Sequence, residues 1–286
     1  MKKIIAILFF PLCFAWSGQA QGNETSLRDT VLNMSDDELK ELEQKMESED
    51  PTFRLEFVVE KDVSFFLAAQ KRRPQNFIWI WGIQAHFASE RYNARQMENE
   101  NEKKALFENA LLYLTESLTT LENVTLTDVD DTVKFEYNLY MEMLKEDIAF
   151  AAVGAGELTL AKRMANELLI NNVDTMSFNY GNIIHNANTI LGQVALREND
   201  LTRAKAYLIK SAETPGGPGL NTFGPSYVLA KELLKGGEEE IVLEYLDLIA
   251  KFWIQPSDRR KTFKTERLQK WKEEIESGKI PNDPGW

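Results

Sequence analysis

Apolar residues recur at spacings of three and four along most of this chain, the period of helices that each bury one face. Ser35-Asp36-Asp37-Glu38 forms a capping-box pattern ahead of Leu39 and Leu42, which predicts a short helix from Asp36 to about Glu47. Its apolar face is narrow, so weak docking is expected, with mobile residues before it. Asp50-Pro51 offers an N-cap and a first-turn proline, and Leu55, Val59, Val63, Phe66 and Ala69 continue at helical spacing toward Pro74. Phe53, Leu55, Phe57 and Val59 also alternate as a strand would, so residues 53–60 stay open between helix and strand.

Asn76 to Met97 is the most aromatic stretch, with Phe77, Trp81, Ala85, Ala88 and Tyr92 on one expected core face. The polar run from Glu98 to Lys104 reads as a turn before a helix over Ala105 to Leu121, with Phe107, Leu111, Leu114 and Leu118 inward. Further helices are predicted over Thr132 to Val153, Leu158 to Leu169, Tyr180 to Arg197, Leu201 to Ala212, Ser226 to Leu234, Glu238 to Phe252 and Phe263 to Glu276. Gly154-Ala155-Gly156 closes the first of these. The connection from Pro215 to Pro225 holds four glycines and three prolines and cannot continue either neighbouring helix. In the last helix, Phe263, Leu268, Trp271 and Ile275 approximate one apolar face, suited to covering the end of a stack.

The pattern changes at the N-terminus. Lys2 and Lys3 precede an apolar run from Ile4 to Trp16 and a small-residue end at Gly18-Gln19-Ala20, the layout of a secretory signal peptide over residues 1–20. The run is shorter than the roughly 20 residues a membrane-spanning helix needs. Cleavage after Ala20 would remove Cys13, the sole cysteine, so no disulfide or thiol chemistry is expected afterwards. It would also remove two of the 33 basic residues and none of the 45 acidic ones, taking the formal charge from −12 to −14. Nucleic acid is a poor partner for so acidic a chain. The expected layout is a signal peptide, a polar extension over residues 21–50 and a helical-repeat domain over 51–286. The short, lysine-led signal points to bacterial export into the periplasm or beyond.

The helix pairs over residues 132–169, 179–212 and 226–252 recur with similar internal layout. Ala149, Gly192 and Ala230 hold the small position of the first helix, and Ala161, Ala204 and Val242 follow twelve residues later. Leu191-Gly192, Ala204, Leu208, Ser211 and Pro215 resemble a tetratricopeptide-type pair, though the repeat interval exceeds the usual length. The segment from Gly181 to Trp253 also resembles a group of uncharacterised exported bacterial proteins. The resemblance implies an all-α fold of antiparallel helix pairs stacked as a tetratricopeptide-like α-solenoid. It also implies a groove that binds a peptide or protein, with no catalytic residues and no cofactor.

Asn182, His185, Asn186 and Thr189 lie on neighbouring turns of one helix and are the candidate binding residues. They could form a hydrogen-bonding ladder on a groove wall. Alternatively, Asn182, His185 and Asn186 could tie down the glycine–proline connection, whose backbone groups need partners if buried. That connection could close over a ligand, but its prolines favour a rigid Ω-loop pinned by Leu220 and Phe223.

Other chemistry fits poorly. A calcium loop begun at Asp128 would need glycine at Val133 and glutamate at Leu139, so the acidic cluster is better read as charge at a helix N-terminus. His86 and His185, the only histidines, have no paired ligand spacing for a metal. Gly224-Pro225-Ser226-Tyr227-Val228 lacks the second glycine of a nucleophile elbow. The leading expectation is a non-enzymatic exported interaction protein. The alternative is a small-ligand or glycan binder that uses Trp79 and Trp81 as an aromatic patch, with an enzyme of unrecognised site a more distant third.

Overall fold

The computed structural model describes residues 24–48, 57–58, 61–255 and 258–281. The expected signal peptide and its Cys13 lie outside these residues, as does most of the 53–60 ambiguity; Phe57 and Val58 are helical. Thirteen helices and no strand occur among the described residues, so the fold is all-α. None of these helices is long and apolar enough to cross a membrane. The chain divides into two compact units, Met1–Gly156 and Glu157–Trp286.

The first unit contains α1 (Glu24–Asn33), α2 (Asp36–Glu47), α3 (Val63–Arg72), α4 (Ile78–Gln96), α5 (Glu100–Glu122) and α6 (Asp131–Ala155). Local chemistry sets most boundaries. Ser35 and Glu38 complete the capping box of α2, while Asp62, Asn99 and Asp130 cap α3, α5 and α6 with their side chains. Asp130 thus belongs to a helix start, as its acidic neighbourhood suggested. Gly156 ends α6 at φ +84, a left-handed position that favours glycine.

Several expectations change here. The residues before Asp36, expected to be mobile, form α1, whose C-terminal end is held by Arg72: Nη1 donates to Val31 O at 2.7 Å and to Met34 O at 2.6 Å. The expected weak docking of α2 is also corrected. Leu39 and Met46 are fully buried, and Glu43 accepts from Arg73 Nε at 2.7 Å and Trp79 Nε1 at 3.1 Å. The expected start at Pro51 lies outside the described residues, but α3 begins afresh at Val63 after a break at Lys61-Asp62, and α5 starts at Glu100 inside the expected turn. Of the expected α4 face, Phe77 and Ala85 are buried, but Trp81 and Tyr92 are half-buried and Ala88 is exposed, and the most deeply buried residues are Trp79, Ile80, Ile83 and Phe87. Helices α2, α3, α5 and α6 all pack against α4, so it is buried over more of its circumference than a single-face pattern assumes.

The second unit contains α7 (Leu158–Asn171), α8 (Tyr180–Arg197), α9 (Leu201–Ala212), α10 (Pro218–Phe223), α11 (Val228–Lys235), α12 (Glu239–Trp253) and α13 (Lys261–Glu276). Helix α8 packs between α7 and α9, and α11 and α12 add to α8 and α9. Ala161, Ala204, Ala230 and Val242 are fully buried, as small positions at close helix contacts should be. Gly192, however, receives Leu229 of α11, so its missing side chain serves the contact with the next pair. The Pro215–Pro225 connection contains a helical turn of its own, α10, with Pro218 in its first turn.

Helix α13 packs on α12 through Leu268, Trp271 and Ile275, but Phe263 is 55% exposed and Lys264 only 2% exposed. The exchange has a polar cause. Lys264 Nζ donates to Asn221 O at 2.9 Å and Trp253 O at 3.0 Å and pairs with Asp258. A buried ammonium with three oxygen partners is tolerated where an unpaired one would not be.

A methyl added at Gly192 overlaps the Leu229 side chain. Gly192→Ala should therefore destabilise the protein by about 1–3 kcal/mol despite its better helix propensity. Urea unfolding is the check, and Leu229→Ala in the same chain should make the added methyl less unfavourable.

Candidate functional site

The four residues singled out by sequence lie within the first ten residues of α8, beside the connection that carries α10. Asn182 Oδ1 accepts from Leu220 N at 3.3 Å, and its Nδ2 donates to Asn179 Oδ1 at 2.9 Å. His185 is fully buried; its Nδ1 lies 2.8 Å from Ser211 O, and its Nε2 lies 2.7 Å from Ser226 N. A carbonyl can only accept and a backbone N–H can only donate. The ring is therefore the neutral tautomer with its proton on Nδ1. Thr189 Oγ1 donates to His185 O at 2.9 Å within the helix, and Asn186 is half-buried.

This arrangement braces the connection from both ends. Thr214 Oγ1 donates to Gly181 O at 2.8 Å, and Tyr245 of α12 donates to Ser226 O at 2.7 Å. A Cβ at Gly181 would collide with Gly216 O, which is how closely the two backbones approach. Gly216 itself sits at φ +81. Asn182 and His185 thus meet the loop's backbone demand, one of the two roles their pattern allowed. Both imidazole nitrogens are engaged, and burial pushes the His185 pKa down to about 4 against the weaker opposing pull of the Ser211 carbonyl. Such a ring has no free lone pair for a metal and no ready proton affinity at neutral pH.

A second polar constellation, which periodicity did not single out, joins α4, α5 and α6. Gln84 Nε2 donates to Asp147 Oδ2 at 2.9 Å, and Arg91 Nη1 stands 4.0 Å from Asp147 Oδ1. The Arg91 guanidinium lies 4.1 Å from the centre of the Phe150 ring. Tyr113 donates to Glu90 Oε2 at 2.5 Å, and His86 Nε2 is 3.4 Å from Glu90 Oε1. Burial raises the Tyr113 phenol, with the charges of Glu90 and then Asp147 acting in the same direction. Burial also lifts Asp147 to about 6, against the opposing effects of Arg91 and Gln84. The available signal was the set of Gln84, His86, Glu90 and Arg91 inside an otherwise aromatic run. Their partners on α5 and α6 are distant in sequence.

Among the described residues, no group of three or more His, Cys, Asp or Glu side chains could hold a metal ion. Trp79 is fully buried with its Nε1 on Glu43, so its ring offers no exposed stacking surface.

Replacing His185 by Ala leaves Ser211 O and Ser226 N without their buried partner, and should cost about 2–5 kcal/mol in chemical denaturation at pH 7. The folded pKa lies below the ordinary value of 6.5, so this group's contribution is fully present above pH 6.5 and is lost as pH falls toward 4. Between pH 7 and 5 wild type should lose about 2 kcal/mol through His185, a component absent from His185→Phe. No family model, curated protein or solved structure matches the chain, which leaves the geometry above as the ground for a functional reading.

Proposed function

We propose that the protein is an exported, non-enzymatic interaction protein whose helix pairs stack in a tetratricopeptide-like manner and present a peptide or protein partner with a rigid apolar contact. The observation that carries this reading is at the C-terminal end of α7 and on the α7–α8 connection. Ile170, Val173 and Met176 are 72%, 80% and 88% exposed within seven residues of chain. Exposed apolar side chains grouped in this way are a feature of protein-binding surfaces.

The connection is preorganised, which favours binding because little ordering entropy remains to be lost. Asn172 Nδ2 donates to Tyr180 O at 2.9 Å, Met176 N donates to Asp174 Oδ1 at 2.9 Å, and Ser177 N donates to Asp174 O at 3.0 Å. It leads directly into α8, where Asn182, His185 and Thr189 stiffen the helix and its neighbouring loop. In this reading those residues support the contact, with half-buried Asn186 nearest to a direct role among the four. Stacking is supported by the packed helices of the second unit and their buried small positions. Export rests on the signal-like first twenty residues.

The test is a pull-down from periplasmic extract with the full chain as bait. Val173→Asp with Met176→Asp should abolish capture of a partner while leaving helical content and unfolding midpoint unchanged, because both side chains already face solvent. A partner retained at wild-type yield by this double variant would refute the assignment.

A further inference from the structure

Gln84, like Gln70 and Ser117 in the first unit, carries a buried side-chain oxygen without a hydrogen-bond partner, and it alone of the three is bonded to a carboxylate. Its side chain is more than nine-tenths buried, its Nε2 donates to Asp147 Oδ2 at 2.9 Å, and its Oε1 has no hydrogen-bond partner. An amide carbonyl stranded in the interior has lost its hydration without a hydrogen bond to replace it. Asp147 has the complementary deficit. It is a half-buried carboxylate that accepts one hydrogen bond, and its counter-ion Arg91 stands at 4.0 Å, beyond hydrogen-bond reach.

One proton resolves both deficits. We propose that Gln84 and Asp147 form a proton-operated latch between α4 and α6: a proton bound by the Asp147 carboxyl is donated to the Gln84 carbonyl oxygen, adding a second hydrogen bond beside the existing one. The proton comes from solvent, the carboxylate becomes a neutral acid, and no other bond changes. A carboxylic acid and a primary amide are mutually complementary, since each supplies one donor and one acceptor. The pairing holds for either orientation of the Gln84 amide. If its oxygen and nitrogen are exchanged, the oxygen takes the place 2.9 Å from Oδ2 and receives the proton there.

The charged surroundings set where the latch works. From α4, Arg91 favours the ionised form of Asp147, while Glu90 is engaged by Tyr113 and lies near His86. From α5, Tyr113 contributes a neutral buried phenol. Burial outweighs Arg91 and Gln84 and places the transition at about 6. A folded pKa raised above the unfolded one adds stability that is fully present below the unfolded value and is lost as pH rises through the folded one. The latch therefore closes on acidification, opposite in sign to the lowered carboxylates Asp200 and Asp258. It is independent of the partner contact on the α7–α8 connection.

Asp147→Asn is the informative variant, because its amide can both donate to Gln84 Oε1 and accept from Gln84 Nε2 at any pH. Relative to this variant, the wild-type unfolding constant should be about a hundredfold less favourable to folding at pH 7, narrowing to a few-fold at pH 4. In the wild-type chain, NMR should show the Asp147 carboxyl carbon and the Gln84 side-chain amide titrating together near pH 6. Gln84→Met identifies the amide signal. An Asp147 midpoint near 4, or a Gln84 amide that ignores the transition, overturns the latch even if Asp147→Asn fails to fold.

Discussion

The backbone of a connection too rich in glycine and proline to satisfy its own polar groups is the constraint around which the second unit is arranged. Buried N–H and C=O groups must be paired, and here several of the partners, at Leu220, Asn221 and the flanking Ser226, come from other elements. His185 is central because one ring reaches two segments, accepting from Ser226 at one end of the connection and donating to Ser211 at the other. Tyr245 extends the same chain of bonds to α12. Close packing of α8 follows from this, since Gly181 must let Gly216 approach and Gly192 must receive Leu229.

The first unit meets a related problem with charge. Its interior is largely aromatic, with Phe57, Phe65, Phe66 and Trp79 in edge-to-face contacts. Glu43 enters this region but is matched by Arg73 and the Trp79 indole. Asp147 is matched less completely. A satisfied charge holds α2 on α4, whereas an undersupplied one leaves the α4–α6 contact sensitive to protons. The difference is donor supply: the more deeply buried Glu43 has two donors within hydrogen-bond reach, and half-buried Asp147 has one.

Much of the helical layout was legible in local signals. Ser35 with Glu38, Asp130 and Gly156 mark helix ends through bonds or dihedrals confined to a few residues. Leu201–Ala212 begins in the same way, with Asp200 accepting from Arg203 N, whereas Tyr180–Arg197 begins without a side-chain cap. The candidate site was legible only as a pair of alternatives. The polar density of Asn182, His185, Asn186 and Thr189 is apparent in the chain, but the direction of each side chain depends on where the glycine–proline connection lies. Sequence spacing did not show that Asn182 Oδ1 faces Leu220 N.

By itself the sequence determined the helical character, the acidic balance and the positions where small residues allow helices to meet, because these depend on composition and on periods within one element. Tertiary structure decided that Lys264 enters the core while Phe263 faces solvent, that Arg72 holds the end of α1, and that Gln84 meets Asp147. Each of these joins groups far apart along the chain. Whether a polar side chain is buried depends on the partner that satisfies it, and that partner is supplied only by the assembled fold.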